Sequence, residues 1–102
     1  MRTWTRCLIA VCLSAAALGA APVPAKIRIV ATVFPLREFA AAVAGERGEA
    51  SLLLPPGAGV HTWQPRPGDI ARLSAADLLI YIGSGLEPWL PGLLKAFPAG
   101  RI

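Results

Sequence analysis

The spacing of apolar and polar residues from 27 to 97 predicts strands and helices in turn. Ile27-Arg28-Ile29-Val30-Ala31-Thr32-Val33 is rich in β-branched residues and predicts a strand, ended by Phe34-Pro35. Leu36, Phe39, Ala40 and Val43 then recur at i, i+3, i+4 and i+7, which predicts a helix burying that face. Gly45 stands where a helix C-terminal glycine belongs. Ala50-Ser51-Leu52-Leu53-Leu54 predicts a second strand. Pro55-Pro56-Gly57-Ala58-Gly59 must be loop, because neither residue type suits regular structure there. A short helix is expected from Pro67 to Ala75, with Pro67 in its first turn and Asp69 complementing the helix dipole. Asp77-Leu78-Leu79-Ile80-Tyr81-Ile82 is nearly continuous apolar sequence, as in a parallel strand buried on both faces. Gly83-Ser84-Gly85 ends it, and a last helix carries Trp89, Leu90, Leu93, Leu94 and Phe97 on one side. Arg101-Ile102 reads as the first step of a further strand.

The order is β-α-β-α-β-α, and each connection is long enough for a parallel crossover. Right-handed crossovers make this an α/β fold, an open parallel sheet with helices on both faces.

The first 25 residues follow a different pattern. Arg2 and Arg6 precede an apolar run from Cys7 to Leu18, and small residues and prolines follow to Ala25. A positive start, a short apolar stretch and a small-residue exit describe a secretory signal peptide at 1–25. The run is shorter than the ~20 residues that span a bilayer. Without this segment, residues 26–102 carry eight Lys/Arg against six Asp/Glu, a net charge of +2. Both cysteines, Cys7 and Cys12, lie in the leader, so residues 26–102 offer neither a disulfide nor a thiolate ligand. Their positive charges form no run or stripe, which argues against a nucleic-acid partner.

In an open parallel sheet, ligands bind beyond the carboxyl ends of the strands. Three segments reach that edge: Thr32 to Pro35, Pro55 to Pro67, and Gly83 to Glu87. The only histidine, His61, lies in the second. A lone histidine is more often structural or exposed than a ligand. Here it follows a Pro-Pro-Gly turn and precedes Trp63, Pro65 and Pro67, which restrict the backbone and shape the loop. A stiff loop of this kind suits a metal ligand. Trp63 and Trp89 are expected to pack and not to stack on a ligand. Glu87 is expected at a helix start, with support of a metal ligand as its alternative role. Gly83-Ser84-Gly85 lacks the third glycine of a dinucleotide loop, and Ser84 has no His/Asp partners for a hydrolase triad, so no enzyme activity is expected.

The segment Leu54-Pro55-Pro56-Gly57-Ala58-Gly59-Val60-His61-Thr62-Trp63-Gln64-Pro65-Arg66-Pro67-Gly68-Asp69-Ile70 resembles the first metal-ligand loop of the zinc/manganese-type solute-binding proteins. These are the zinc-uptake component A family, receptors of metal ABC transporters. Ala76 to Trp89 looks like the strand and turn that follow in that family, and Val30 to Leu36 like its first strand and helix start. The resemblance runs in order through residues 27–97. It implies a periplasmic receptor of two α/β lobes joined by a long helix, with residues 26–102 as an incomplete N-terminal lobe. It further implies that Zn²⁺ or Mn²⁺ sits between the lobes on three histidines and a carboxylate, His61 aligning with the first histidine. The implied partner is the ABC-transporter permease. Val60 departs from the acidic residue of some members, and Gln64 from a frequent glutamate. A small exported α/β interaction module without a metal role is the alternative.

Overall fold

A computed structural model describes residue 19 and residues 21–98. Most of the expected signal peptide and the expected strand at Arg101-Ile102 lie outside the described residues. The elements are β1 (Ile27–Ala31), α1 (Phe34–Ala44), a 3-10 turn (Gly45–Arg47), β2 (Gly48–Leu52), α2 (Pro67–Ser74), β3 (Leu78–Ile80) and α3 (Leu90–Leu94). The three strands form one parallel sheet in the order β2-β1-β3. Ile27 pairs with Gly48 on one side, and Ile29 with Leu78 on the other. This is the expected α/β architecture.

Strand alternation sorts the side chains onto two faces. Val30 and Leu79, register partners, turn to one face and bury with Leu53, Leu54, Leu73 of α2, and Trp89, Leu90 and Leu93 around α3. Ile29 and Ala31 turn to the other face, toward α1. Helices therefore cover both faces, α1 on one and α2 with α3 on the other.

The buried stripe of α1 is not the expected one. Ala40 is buried and Leu36 and Ala44 are half-buried, but Phe39 and Val43 are 70% and 89% exposed. The cause is a close approach of helix to sheet. A Cβ on Gly48 would lie 2.7 Å from the Ala44 Cβ and 3.3 Å from the Ile27 carbonyl. Only the small side chains of Ala40 and Ala44 fit this gap, so the helix turns its bulky residues outward. Gly48→Ala is expected to cost about 1–3 kcal/mol, because the added methyl forces helix and sheet apart. Denaturant unfolding checks this, and an unchanged midpoint would count against the tight contact.

β1 and β3 are shorter than the apolar runs that predict them, and β2 has the expected length but starts two residues earlier. Leu53 and Leu54 leave β2 but keep hydrogen bonds to Ala31 and Thr32, at 2.8 and 3.3 Å, while burying in the core. In β3 only Leu79 is buried. Leu78 is 43% exposed, against the expectation of burial on both faces. Tyr81 and Ile82, expected in the same strand, lie past its end. The reason is position: β3 pairs with β1 alone among the described residues.

α2 starts where its proline and aspartate place it. Asp69 Oδ2 accepts from the Arg66 N–H at 2.9 Å, satisfying a donor at the helix start. Arg72 reaches from α2 to donate to the Leu52 carbonyl at 2.7 Å, tying the helix to the end of β2. At the other end of the sheet, Asp77 Oδ2 accepts from the Arg28 N–H at 2.7 Å, and the Asp77 N–H donates to the Arg28 carbonyl at 2.8 Å. These contacts fix β3 against β1, and with it the position of the loops beyond.

Candidate functional site

The loop from Pro55 to Arg66 crosses the carboxyl edge of the sheet in two turns. The Ala58 N–H donates to the Pro55 carbonyl at 3.1 Å, across Gly57 at φ 79°. The Gly59 carbonyl then accepts from Thr62 and Trp63 N–H groups, at 3.2 and 3.0 Å. His61 stands in the middle of that second turn and is exposed. Its neighbours face the opposite way: Ala58, Val60 and Trp63 pack on the core cluster. The result is an imidazole held outward by residues anchored inward on either side of it.

Trp89 supplies the anchor. Its ring is buried, and its Nε1–H donates to the Val60 carbonyl at 2.7 Å. The Trp63 ring meets it edge to face, with centroids 4.7 Å apart and planes at 80°. Such pairs add about 0.5–1.5 kcal/mol beyond burial. Of the residues read as loop-shaping, Trp63 is therefore part of the anchor, Pro65 is half-buried, and Pro67 opens α2. Both tryptophans pack, as expected. The sequence does not name the hydrogen bond to Val60, although a buried indole N–H usually finds an acceptor, and that was the available signal.

Glu87 corrects its sequence reading. Its backbone carbonyl does accept from Leu90 at 3.0 Å, at the approach to α3. Its side chain points elsewhere and is 2% exposed. Oε1 accepts from the Thr32 hydroxyl at 2.7 Å and the Ile82 N–H at 3.0 Å, and Oε2 from the Gly83 N–H at 2.8 Å. Thr32 is itself fully buried. One carboxylate thus binds the end of β1 to the end of β3. Burial pushes its pKa up, but the Ile82, Thr32 and Gly83 donors outweigh burial and hold it below the ordinary value of 4.5. The turn that brings these donors round needs three residues in a row at positive φ: Gly83 at 76°, Ser84 at 52° and Gly85 at 81°. Ser84 is the non-glycine among them.

Chemically, the described residues offer one exposed imidazole on a braced loop. No group of three or more His, Cys, Asp or Glu side chains gathers among them. A single nitrogen fills one position of the four that zinc prefers. The described residues therefore do not by themselves make a complete zinc site.

Residues 29–101 match the family described as zinc-uptake complex component A, periplasmic. The chain is 33% identical over 95 residues to the high-affinity zinc uptake system protein ZnuA of Bacillus subtilis, covering 92% of this chain and 30% of that protein. Its fold matches the metal-dependent lipoprotein YcdH of Bacillus subtilis with a TM-score of 0.68 at 35% identity, over 74% of this chain and 28% of the other. It matches the Zn(II)-bound ZnuA-like domain of Streptococcus pneumoniae AdcA with a TM-score of 0.68 at 31% identity, over 76% and 29%. The chain thus spans about 30% of the length of these relatives. With 73 of its residues inside the matched span and the fold shared, the chain belongs to the periplasmic zinc-uptake component A family, one of solute-binding receptors and not of enzymes.

Proposed function

We propose that this protein is an extracytoplasmic receptor that binds a divalent transition metal, Zn²⁺ or Mn²⁺, for delivery to an ABC-transporter permease. Residues 1–25 act as its export signal, and residues 26–102 contribute the first part of its N-terminal lobe. His61 is one metal ligand, and Trp63, Pro65 and Pro67 hold the loop that carries it. The observation that supports this most directly is the exposed imidazole of His61 on a loop braced on both sides, at the carboxyl edge of the sheet.

The chemistry follows from the donor. Imidazole binds metal through a neutral ring nitrogen, so protons compete with the metal and affinity falls in acid. A receptor must also give its cargo up. A site completed by donors from two separate bodies can open when they part, which a cage within one lobe cannot do.

Calorimetric titration of the metal-free protein, as its own gene encodes it, tests this reading with Zn²⁺ and Mn²⁺ in turn. Tight binding of at least one metal is expected, and no binding of either would overturn the proposal. Residues 26–102 alone are expected to bind either metal only weakly, since they bring one imidazole. Sub-micromolar affinity in that segment would contradict the assignment of His61 as one donor among several.

A further inference from the structure

We propose that Trp89 is a positioning residue for the metal site, acting through the peptide bond that joins Val60 to His61. The inference rests on the metal-binding reading of His61. Trp89 Nε1–H donates to the Val60 carbonyl at 2.7 Å, and that carbonyl belongs to the same planar peptide unit as the His61 nitrogen. Holding the oxygen restrains that plane, and the plane carries the His61 Cα from which the imidazole projects. The indole has no freedom to follow a moving loop, because it is 6% exposed and packed among Leu90, Leu93 and Trp63.

The loop needs such a brace. Pro55 to Arg66 contains no helix or strand, and it includes Gly57 at positive φ and Gly59. Its own hydrogen bonds close only local turns, within Pro55–Ala58 and Gly59–Trp63. The bond from Trp89 crosses 29 residues and ties the second turn to the core. Packing of Ala58, Val60 and Trp63 on the core holds the loop as well, so without this bond part of the ordering falls to the metal, and its cost is subtracted from affinity. Groups that orient a metal ligand in this way typically change affinity about 10–100-fold when removed.

The test uses the protein encoded by its own gene and Zn²⁺ as the probe. Trp89→Phe keeps an aromatic ring in the core and removes the donor. Zinc affinity is expected to fall about tenfold or more. In a His61→Ala background, Trp89→Phe is expected to change affinity less than twofold, because the residue acts through His61. A loss below twofold in the single variant would overturn the proposal. So would an equal loss in both backgrounds, which marks a general structural role. If Trp89→Phe fails to fold, the benzothienyl analogue of tryptophan at position 89 replaces it. That analogue keeps the fused ring and lacks only the N–H, and the same two outcomes decide. A His61→Ala variant that binds zinc as the wild type does would instead overturn the metal reading, and the positioning role with it, whatever Trp89→Phe shows.

Discussion

His61→Ala is expected to weaken zinc binding by more than about a hundredfold, beyond the ~10–100-fold that follows from losing a group that only supports a ligand. The expectation rests on where the imidazole stands. Val60 and Trp63 are packed inward, so the turn from Gly59 to Trp63 holds His61 toward solvent at the mouth of the sheet. Among the described residues no cluster of His, Cys, Asp or Glu gathers that could replace it. An alanine leaves the turn intact, since its hydrogen bonds run through backbone groups of Gly59, Thr62 and Trp63. Stability of the metal-free protein should therefore change by less than about 0.5 kcal/mol, as for other surface substitutions. Competition titration against a zinc chelator measures the loss. An affinity within twofold of wild type would remove His61 from the site.

The second large effect is expected at Glu87, and it is one of stability. Glu87→Gln keeps the shape but puts an amide nitrogen where a carboxylate oxygen accepted a backbone N–H. Two donors then face each other in a site that is 2% exposed. A loss of about 1.5–3 kcal/mol is expected, the worth of hydrogen bonds to a charged group replaced by a mismatched neutral amide. The pH dependence has a definite sign. Glu87 has a lower pKa folded than its ordinary value of 4.5, so the folded state favours the ionised form. Its contribution is present above about pH 4.5 and is lost as pH falls through the lower folded value. Glutamine does not titrate. The stability gap between wild type and variant should thus be constant near neutrality and narrow below pH 4.5. Denaturant unfolding between pH 7 and pH 3 measures it. A gap that stays constant through that range would show that the carboxylate charge plays no part.

Much of this arrangement was legible in the residues. The β-branched run at Ile27, the prolines at 35 and 67 and the glycine at 45 are local signals, and each element formed at or within two residues of them. The stiff loop around His61 was equally local, since proline and glycine act on their own backbone. What escaped was set at a distance. The rotation of α1 depends on Gly48 meeting Ala44, and periodicity counts Phe39 and Val43 as core without knowing how near the sheet lies. The role of Glu87 depends on Thr32, 55 residues away, and that of Trp89 on Val60, 29 away. Each needed a buried polar group to be asked which partner satisfies it. The sequence names the group but not the neighbour.

The Trp63–Trp89 pair has an optical consequence. Two indoles with centroids 4.7 Å apart and planes at 80° are close enough for their excited states to mix. Such mixing gives paired bands of opposite sign in ultraviolet circular dichroism, with an intensity that depends on spacing and angle. The sequence has three tryptophans, and the third, Trp4, lies in the proposed export signal. Within residues 26–102, this couplet reports on the loop that carries His61. The protein thus holds its own chromophore pair beside that loop, so loop geometry can be followed without attaching a dye.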